Sequence, residues 1–287
     1  MPQFTDARGV PIIYDVYPAH GTPRAVVQLA HGYGEHSGRY GRLIEALKSG
    51  GYIVYADDHL GHGRTGMLQH GKDASRLGTL GRGGVPAAVD ALWDFTEIIR
   101  GEHPDLPLVL LAHSWGSFMA QMLVNRHPDA YDLVILSGTV YRQLGSGNLG
   151  DLNKQWNAPG ATGMEWLASD DHVVHDFIDD PLCTTVPMGQ TIGLFGQLQM
   201  LGKPRRKLRE AAGHDVPILL MVGRDDPVGG PRSVHRLADA YRTRSGLTDV
   251  TTYVYPDARH EIFNEVGQEK VRADLLAWLD ARLPARD

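Results

Sequence analysis

The chain has 287 residues, 42% of them hydrophobic and 22% charged, with a formal net charge of −6. A chain of that size buries roughly three-quarters of its unfolded surface in one large domain, and its acidic balance argues against nucleic acid and strongly anionic surfaces as partners. One cysteine, Cys183, excludes an internal disulfide; with no basic-then-apolar leader and no run near the ~18 apolar residues of a membrane span, a cytoplasmic protein is expected.

Val10 to Tyr17 reads as a strand, and the turn Ala19-His20-Gly21-Thr22-Pro23 returns the chain to a second strand, Ala25 to Ala30. A glycine-punctuated loop, His31 to Tyr40, leads into a helix with Leu43, Ile44 and Leu47 on its apolar face. Tyr52 to Ala56 is a third strand, closed by Asp57-Asp58-His59-Leu60-Gly61-His62-Gly63. Val85, Val89, Leu92 and Ile99 mark the buried side of a helix. Leu108 to Ala112 then reads as a buried strand that breaks around Ser114 and continues as a helix over Phe118 to His127. Leu133 to Gly138 is again short and apolar. Thr139 to Gly213 holds Gly, Pro and Asn clusters and helical fragments without a convincing strand. A structureless loop of that length is implausible in a compact domain, so a helical cap is expected there. The strand–helix rhythm resumes with Pro217 to Gly223, a helix on Val234, Leu237, Ala238 and Tyr241, the strand Val250 to Tyr255, and a last helix on Val271, Leu275, Trp278 and Leu279. This alternation predicts an α/β fold with a mostly parallel sheet covered on both faces, divided as core 1–138, cap 139–213 and core 214–287.

The stretch Ala112-His113-Ser114-Trp115-Gly116 is a G-x-S-x-G elbow with alanine in the first glycine position. The turn is tight enough to require small flanking residues, and it lifts the serine hydroxyl clear of the sheet at a helix N-terminus. A serine hydroxyl needs a base, and the base needs a group to fix its tautomer. His260, just past the last strand, is the candidate base. Asp226, just past the preceding strand and held by Pro227, is favoured as the acid over its neighbour Asp225. The backbone N–H groups of Tyr33 and Trp115 are the candidate oxyanion donors. No metal or cofactor is called for.

His31-Gly32-Tyr33-Gly34-Glu35-His36-Ser37-Gly38-Arg39-Tyr40, Asp58 to Thr65, the Ser114 elbow and His260-Glu261-Ile262-Phe263-Asn264-Glu265 together resemble the monoacylglycerol lipase/lysophospholipase family of α/β-hydrolases. Glu165 to Asp170 and Asp180-Pro181-Leu182-Cys183 are similar to segments of bacterial lysophospholipases. The resemblance implies an α/β-hydrolase fold, a triad of Ser114, Asp226 and His260, an oxyanion hole at Tyr33 and Trp115, and substrate-binding roles for Glu35 and Arg39 near the polar end of a pocket. Two departures stand out. Trp115 replaces the family's usual methionine, which would reshape the pocket there. Phe263 stands where animal monoacylglycerol lipases carry a second histidine near the glycerol.

Other residues have plainer readings. Asp57, Asp58, His59 and His62 suggest metal ligands, but a structural turn is the expectation. His31 and His113 are expected to be hydrogen-bonded core histidines, Cys183 a small apolar residue, and Arg205, Arg206, Lys207 and Arg209 a solvated face. Trp156, Trp166, Leu194, Phe195, Leu198 and Met200 suit an acyl tunnel and a small cap core equally well. The expected activity is hydrolysis of esters of monoacyl lipids, or of smaller esters, through an acyl-enzyme. Proline aminopeptidase, thioesterase and weakly catalytic scaffold readings are the competitors. An apolar cap face would serve dimerisation or peripheral contact with a membrane, and no motif decides between them.

Overall fold

A computed structural model describes residues 1–148 and 150–283; position 149 of the expected cap and positions 284–287 of the second core part lie outside them. The strands are β1 (Gln3–Thr5), β2 (Pro11–Tyr17), β3 (Ala25–Ala30), β4 (Tyr52–Asp57), β5 (Leu108–His113), β6 (Leu133–Ser137), β7 (Ile218–Gly223) and β8 (Val250–Tyr255). They form one sheet in the order β1-β2-β4-β3-β5-β6-β7-β8. Strands β3 to β8 run parallel, whereas β2 lies antiparallel to β4 and β1 antiparallel to β2. The turn after β2 does not pair it with β3, because both edges of β3 are taken by β4 and β5.

The period-two pattern of the strands explains the layers. Val109, Leu111, Ile135, Leu219 and Met221 face one side, where helices α1 (Gly41–Ser49) and α9 (Gln268–Asp280) pack through Leu43, Leu47, Leu275 and Trp278. Leu110, Ala112, Val134, Leu136, Leu220 and Val222 face the other, under α3 (Gly84–Glu102), α4 (Trp115–Arg126) and α8 (Gly230–Thr243). The short α2 (Gly63–Gln69) follows β4. Every strand from β3 to β7 is buried throughout, as doubly covered parallel strands require.

Between β6 and β7 the described residues form no strand but three helices, α5 (Asp171–Asp179), α6 (Met188–Met200) and α7 (Leu208–Ala212). The Asp170 side chain caps α5 by accepting from the His172 N–H. Helix α6 breaks at Gly193, whose φ of 65° and ψ of −179° suit glycine alone. Its Met188, Ile192 and Met200 rest on the core, while Leu194, Phe195 and Leu198 are exposed. Leu208 of α7 is buried in the same layer as Val216 and Tyr241, with Lys207 and Arg209 N–H groups bonded to the Arg244 and Ser245 carbonyls.

Candidate active site

The elbow is built by close backbone approach. Strand β5 ends at His113 and α4 begins at Trp115, leaving Ser114 alone in the turn with φ 49° and ψ −117°. The helix therefore starts three residues before the expected Phe118, because the turn is one residue long. The Ser114 N–H donates to the Ser137 carbonyl at 2.9 Å, anchoring the strained residue to β6. Gly116 donates to the His31 carbonyl at 3.0 Å, and a Cβ there would lie 2.4 Å from the Ala30 oxygen, so only glycine lets α4 cross the end of β3. Ala112, fully buried, is accommodated in the core on the α4 side.

The loop after β7 meets the loop after β8 at a second such crossing. A Cβ on Gly223 would stand 2.0 Å from the Arg259 carbonyl oxygen. That approach brings Asp226 beside His260: the imidazole Nδ1 lies 3.0 Å from Asp226 Oδ1, and its Nε2 lies 2.8 Å from Ser114 Oγ. Asp226 Oδ1 also accepts from the Val228 N–H at 2.9 Å. Asp225, one residue earlier, is exposed and faces Arg224. Gly138 supplies room for the ring, since a Cβ there would come within 2.9 Å of His260 Cε1. Burial lowers the basicity of His260, but the charge and hydrogen bond of Asp226, helped by Glu261 and Glu35, outweigh it and leave the imidazole raised above its ordinary value. Trp166 covers the ring with centroids 5.1 Å apart.

The loop after β3 runs along the other side of Ser114, and a Cβ on Gly32 would lie 3.3 Å from Ser114 Cβ. Among the described residues, the backbone N–H groups of Tyr33 and Trp115 have no hydrogen-bond partner. Glu35 is buried below them. Its Oε1 accepts from the Gly32 N–H and the Tyr40 hydroxyl, both at 2.6 Å, and its Oε2 from Arg39 at 2.8 Å. Arg39 continues to Glu261, bonding both carboxylate oxygens at 2.6 and 2.9 Å, and lies 4.8 Å from the Phe177 ring of α5. Burial raises the Glu35 carboxyl above its ordinary range despite Arg39, whereas Arg39 and Asn264 hold that of Glu261 below it against the same burial. Glu35 and Arg39 thus sit together beside Ser114's loop, with their polar atoms largely engaged by one another and by Glu261.

Further residues tie the segment after β6 to this site. The Tyr33 hydroxyl donates to the Val186 carbonyl at 3.0 Å and meets Thr191 Oγ1 at 2.8 Å; Thr184 N–H donates to the Gly34 carbonyl at 2.8 Å. Arg259 donates to the Glu165 and Ala168 carbonyls and lies 4.5 Å from the Trp156 ring. Glu265 accepts from the Arg259 and Ser169 N–H groups and the Ser169 hydroxyl. Sequence reasoning gave no role to Arg259, nor to Glu265 within its motif, since their partners lie in the distant segment after β6. Trp115 is fully buried with its indole N–H unpartnered among the described residues, and Phe263 is buried on the α1/α9 side.

The histidines below the loop are packed together. His31 stacks on His59 at 3.9 Å, and His59 Nδ1 lies 2.8 Å from Asp57. Asp58 is occupied by Ser37 and Arg64. Among the described residues, one trio of metal-ligating type converges: His36, Asp180 and Cys183. There His36 Nδ1 accepts from the Gly38 N–H, so Nε2 carries the proton that it donates to Asp180 at 2.8 Å; two of the three are thus already paired with each other, and the Cys183 backbone N–H donates to the Asp180 carbonyl. Burial pushes the Cys183 thiol well above its ordinary value.

A mostly parallel eight-stranded sheet with a serine elbow after β5 and an acid and a histidine after β7 and β8 is the α/β-hydrolase fold. The serine aminopeptidase S33 family matches residues 21–267. The chain is 32% identical to a monoacylglycerol lipase of Mycolicibacterium smegmatis over 98% of this chain and 96% of that protein. It is 24% identical to the Homo sapiens monoglyceride lipase over 98% and 91%. A thermostable carboxyl esterase from Bacillus coagulans, solved with glycerol, superposes with a TM-score of 0.83 at 26% identity and 98% coverage of both chains. The chain belongs to the monoacylglycerol lipase-like family of α/β-hydrolases within the S33 group, and it is a hydrolase.

Proposed function

We propose that this hydrolase cleaves carboxylic esters of monoacyl lipids, or smaller esters, through an acyl-enzyme on Ser114. The observation that carries the reading is the position of His260, one ring nitrogen 2.8 Å from the Ser114 hydroxyl and the other 3.0 Å from Asp226. With Nδ1–H donated to Asp226, Nε2 is the free acceptor for the hydroxyl proton. Ser114 attacks the ester carbonyl as His260 takes that proton. The developing oxyanion is held by the N–H groups of Tyr33 and Trp115, each such donor being worth about 3 kcal/mol. The imidazolium then protonates the leaving alcohol, and water, activated by the same base, releases the acid. No step draws on a metal or cofactor.

Residues 139–213 act in this reading as the cap that selects the acyl and alcohol groups, with Trp166 over the base. Glu35 and Arg39 border the alcohol side. The aminopeptidase name of the matched family supports a second reading, an N-terminal amide substrate whose ammonium needs a carboxylate. Against it, two buried carboxylates beside the site, Glu35 on the loop after β3 and Glu261 on the loop after β8, are both bonded to Arg39. A fluorophosphonate probe should label Ser114 stoichiometrically, and Ser114→Ala should lose labelling and at least about 10³-fold in turnover while melting normally. A panel of monoacylglycerols, lysophospholipids, p-nitrophenyl esters, thioesters and aminoacyl anilides separates the readings. Ester turnover that survives in Ser114→Ala sinks the first of them, and faster anilide than ester cleavage favours the second.

A further inference from the structure

Both backbone polar groups of Gly32 are held by side chains. Glu35 Oε1 takes the Gly32 N–H at 2.6 Å, and His31 Nδ1 lies 2.7 Å from the Gly32 carbonyl oxygen. The tautomer of His31 follows from its other nitrogen. Nε2 lies 2.9 Å from the backbone N–H of His59, which can only donate, so Nε2 is the acceptor and Nδ1 carries the proton given to Gly32. The ring is wholly buried and stacked on His59. Burial, with His59 and His62 alongside, holds it well below the ordinary imidazole value, so it stays neutral.

A trans peptide is planar, and its C=O and N–H point in opposite directions. Fastening the Gly32 carbonyl to His31 therefore fixes the direction of the Tyr33 N–H, which belongs to the same plane and faces away from His31. Gly32 itself is packed against Ser114, and no described residue satisfies the Tyr33 N–H. We infer that His31 is a positioning residue for ester hydrolysis, a neutral donor that locks the oxyanion peptide with the Tyr33 N–H turned toward the reacting carbonyl. The inference rests on the reading of Ser114 as nucleophile and of Tyr33 N–H as oxyanion donor.

Two conservative substitutions divide the role of the ring. In His31→Asn the amide nitrogen takes the place of Nδ1 and keeps the donor to Gly32, losing the contact with His59. In His31→Gln the longer amide reaches the place of Nε2 and keeps the acceptor for His59, losing the donor. Each is assayed on p-nitrophenyl butyrate and its thionoester, whose C=S sulfur accepts hydrogen bonds poorly and so draws little on the oxyanion donors. The wild-type preference for the oxoester is the readout. It is a ratio on one enzyme population, so partial misfolding does not disturb it. His31→Gln should lose about ten- to a hundredfold in kcat on the oxoester with KM changed less than about threefold, and its oxoester preference should shrink by a similar factor; removal of a whole donor costs about 10²–10³. His31→Asn should recover most of both.

Equal behaviour of the two variants, the reverse order, or a fall in kcat with the oxoester preference intact would overturn the role and leave His31 as a packing residue. Ser114→Ala is assayed beside them. Retained activity there removes the nucleophile reading itself, whereas an inactive Ser114→Ala with an unaltered His31→Gln preference removes only the positioning role.

Discussion

Asp226 and Asp225 are adjacent in sequence and opposite in environment. Asp226 is buried against His260 and the Val228 N–H, while Asp225 is solvated beside Arg224. The pH profile tests that difference. In the proposed mechanism His260 must be neutral to take a proton, so the acidic limb of kcat/KM should follow its pKa, which burial lowers and Asp226, with Glu261 and Glu35, more than restores. In Asp226→Asn burial acts without its main opponent: the limb should move to lower pH, and the plateau should fall by about 10³–10⁴ because the tautomer is no longer held. Asp225→Asn should keep limb and plateau within about twofold. A limb that stays put in Asp226→Asn would mean that another carboxylate sets the base. The preference for Asp226 was legible because proline at 227 holds the preceding residue extended. The roles of Gly138 and Gly223 were not, since each answers to a backbone or ring from a distant loop.

At the scale of elements, Arg39 is the joint between the loop after β3 and the loop after β8. Its guanidinium bonds Glu35 on one and grips Glu261 bidentately on the other, with all three side chains less than a tenth exposed. Arg39→Ala leaves two buried carboxylates without a cation, and loss of one partner from a buried pair costs about 3–5 kcal/mol. Thermal denaturation should register a fall of roughly 6–20 °C. Glu261→Gln in the same background should recover part of it by removing one of the like charges. A melting temperature unchanged in Arg39→Ala would show the cluster to be solvated. The sequence announced the strands because doubly covered parallel strands read as unbroken apolar runs, and β3 and β8 have the expected limits. It did not announce β1, a three-residue edge strand whose pairing with β2 leaves no apolar pattern, nor α2, whose seven residues follow glycines that read as a turn. The Glu35–Arg39–Glu261 joint was only half visible: the first two residues lie in one motif, but their partner is 222 positions from Arg39, and a pairing across that distance leaves no local trace.

For the whole molecule, the proposed reading requires an apolar ester to reach Ser114 past the helices that follow β6. No helix among the described residues is long and apolar enough to cross a membrane. Helix α6, however, sets Leu194, Phe195 and Leu198 outward, at 73%, 74% and 52% exposure, and its first turn is tied through Thr191 to the hydroxyl of Tyr33, a residue of the loop after β3. Solvent-facing leucine and phenylalanine on one helix form a surface that a lipid interface would cover. A monoacyl lipid concentrated in that interface would then meet the enzyme on the side of the loop after β3, where the proposed oxyanion donor Tyr33 lies. Full burial of one such side chain is worth about 1.5–3 kcal/mol, so partial insertion of two supports a ten- to hundredfold effect. Leu194→Ser with Phe195→Ser should therefore reduce co-sedimentation with neutral phosphatidylcholine vesicles by about that factor and slow hydrolysis of vesicle-borne monoacylglycerol in parallel. Turnover of a soluble short ester should stay within about twofold, because neither side chain touches the triad. Equal vesicle binding by the wild type and the double variant would remove the membrane role, and a wild-type dimer dissolved by the same substitutions, seen by sedimentation velocity, would give this face to a second copy of the chain.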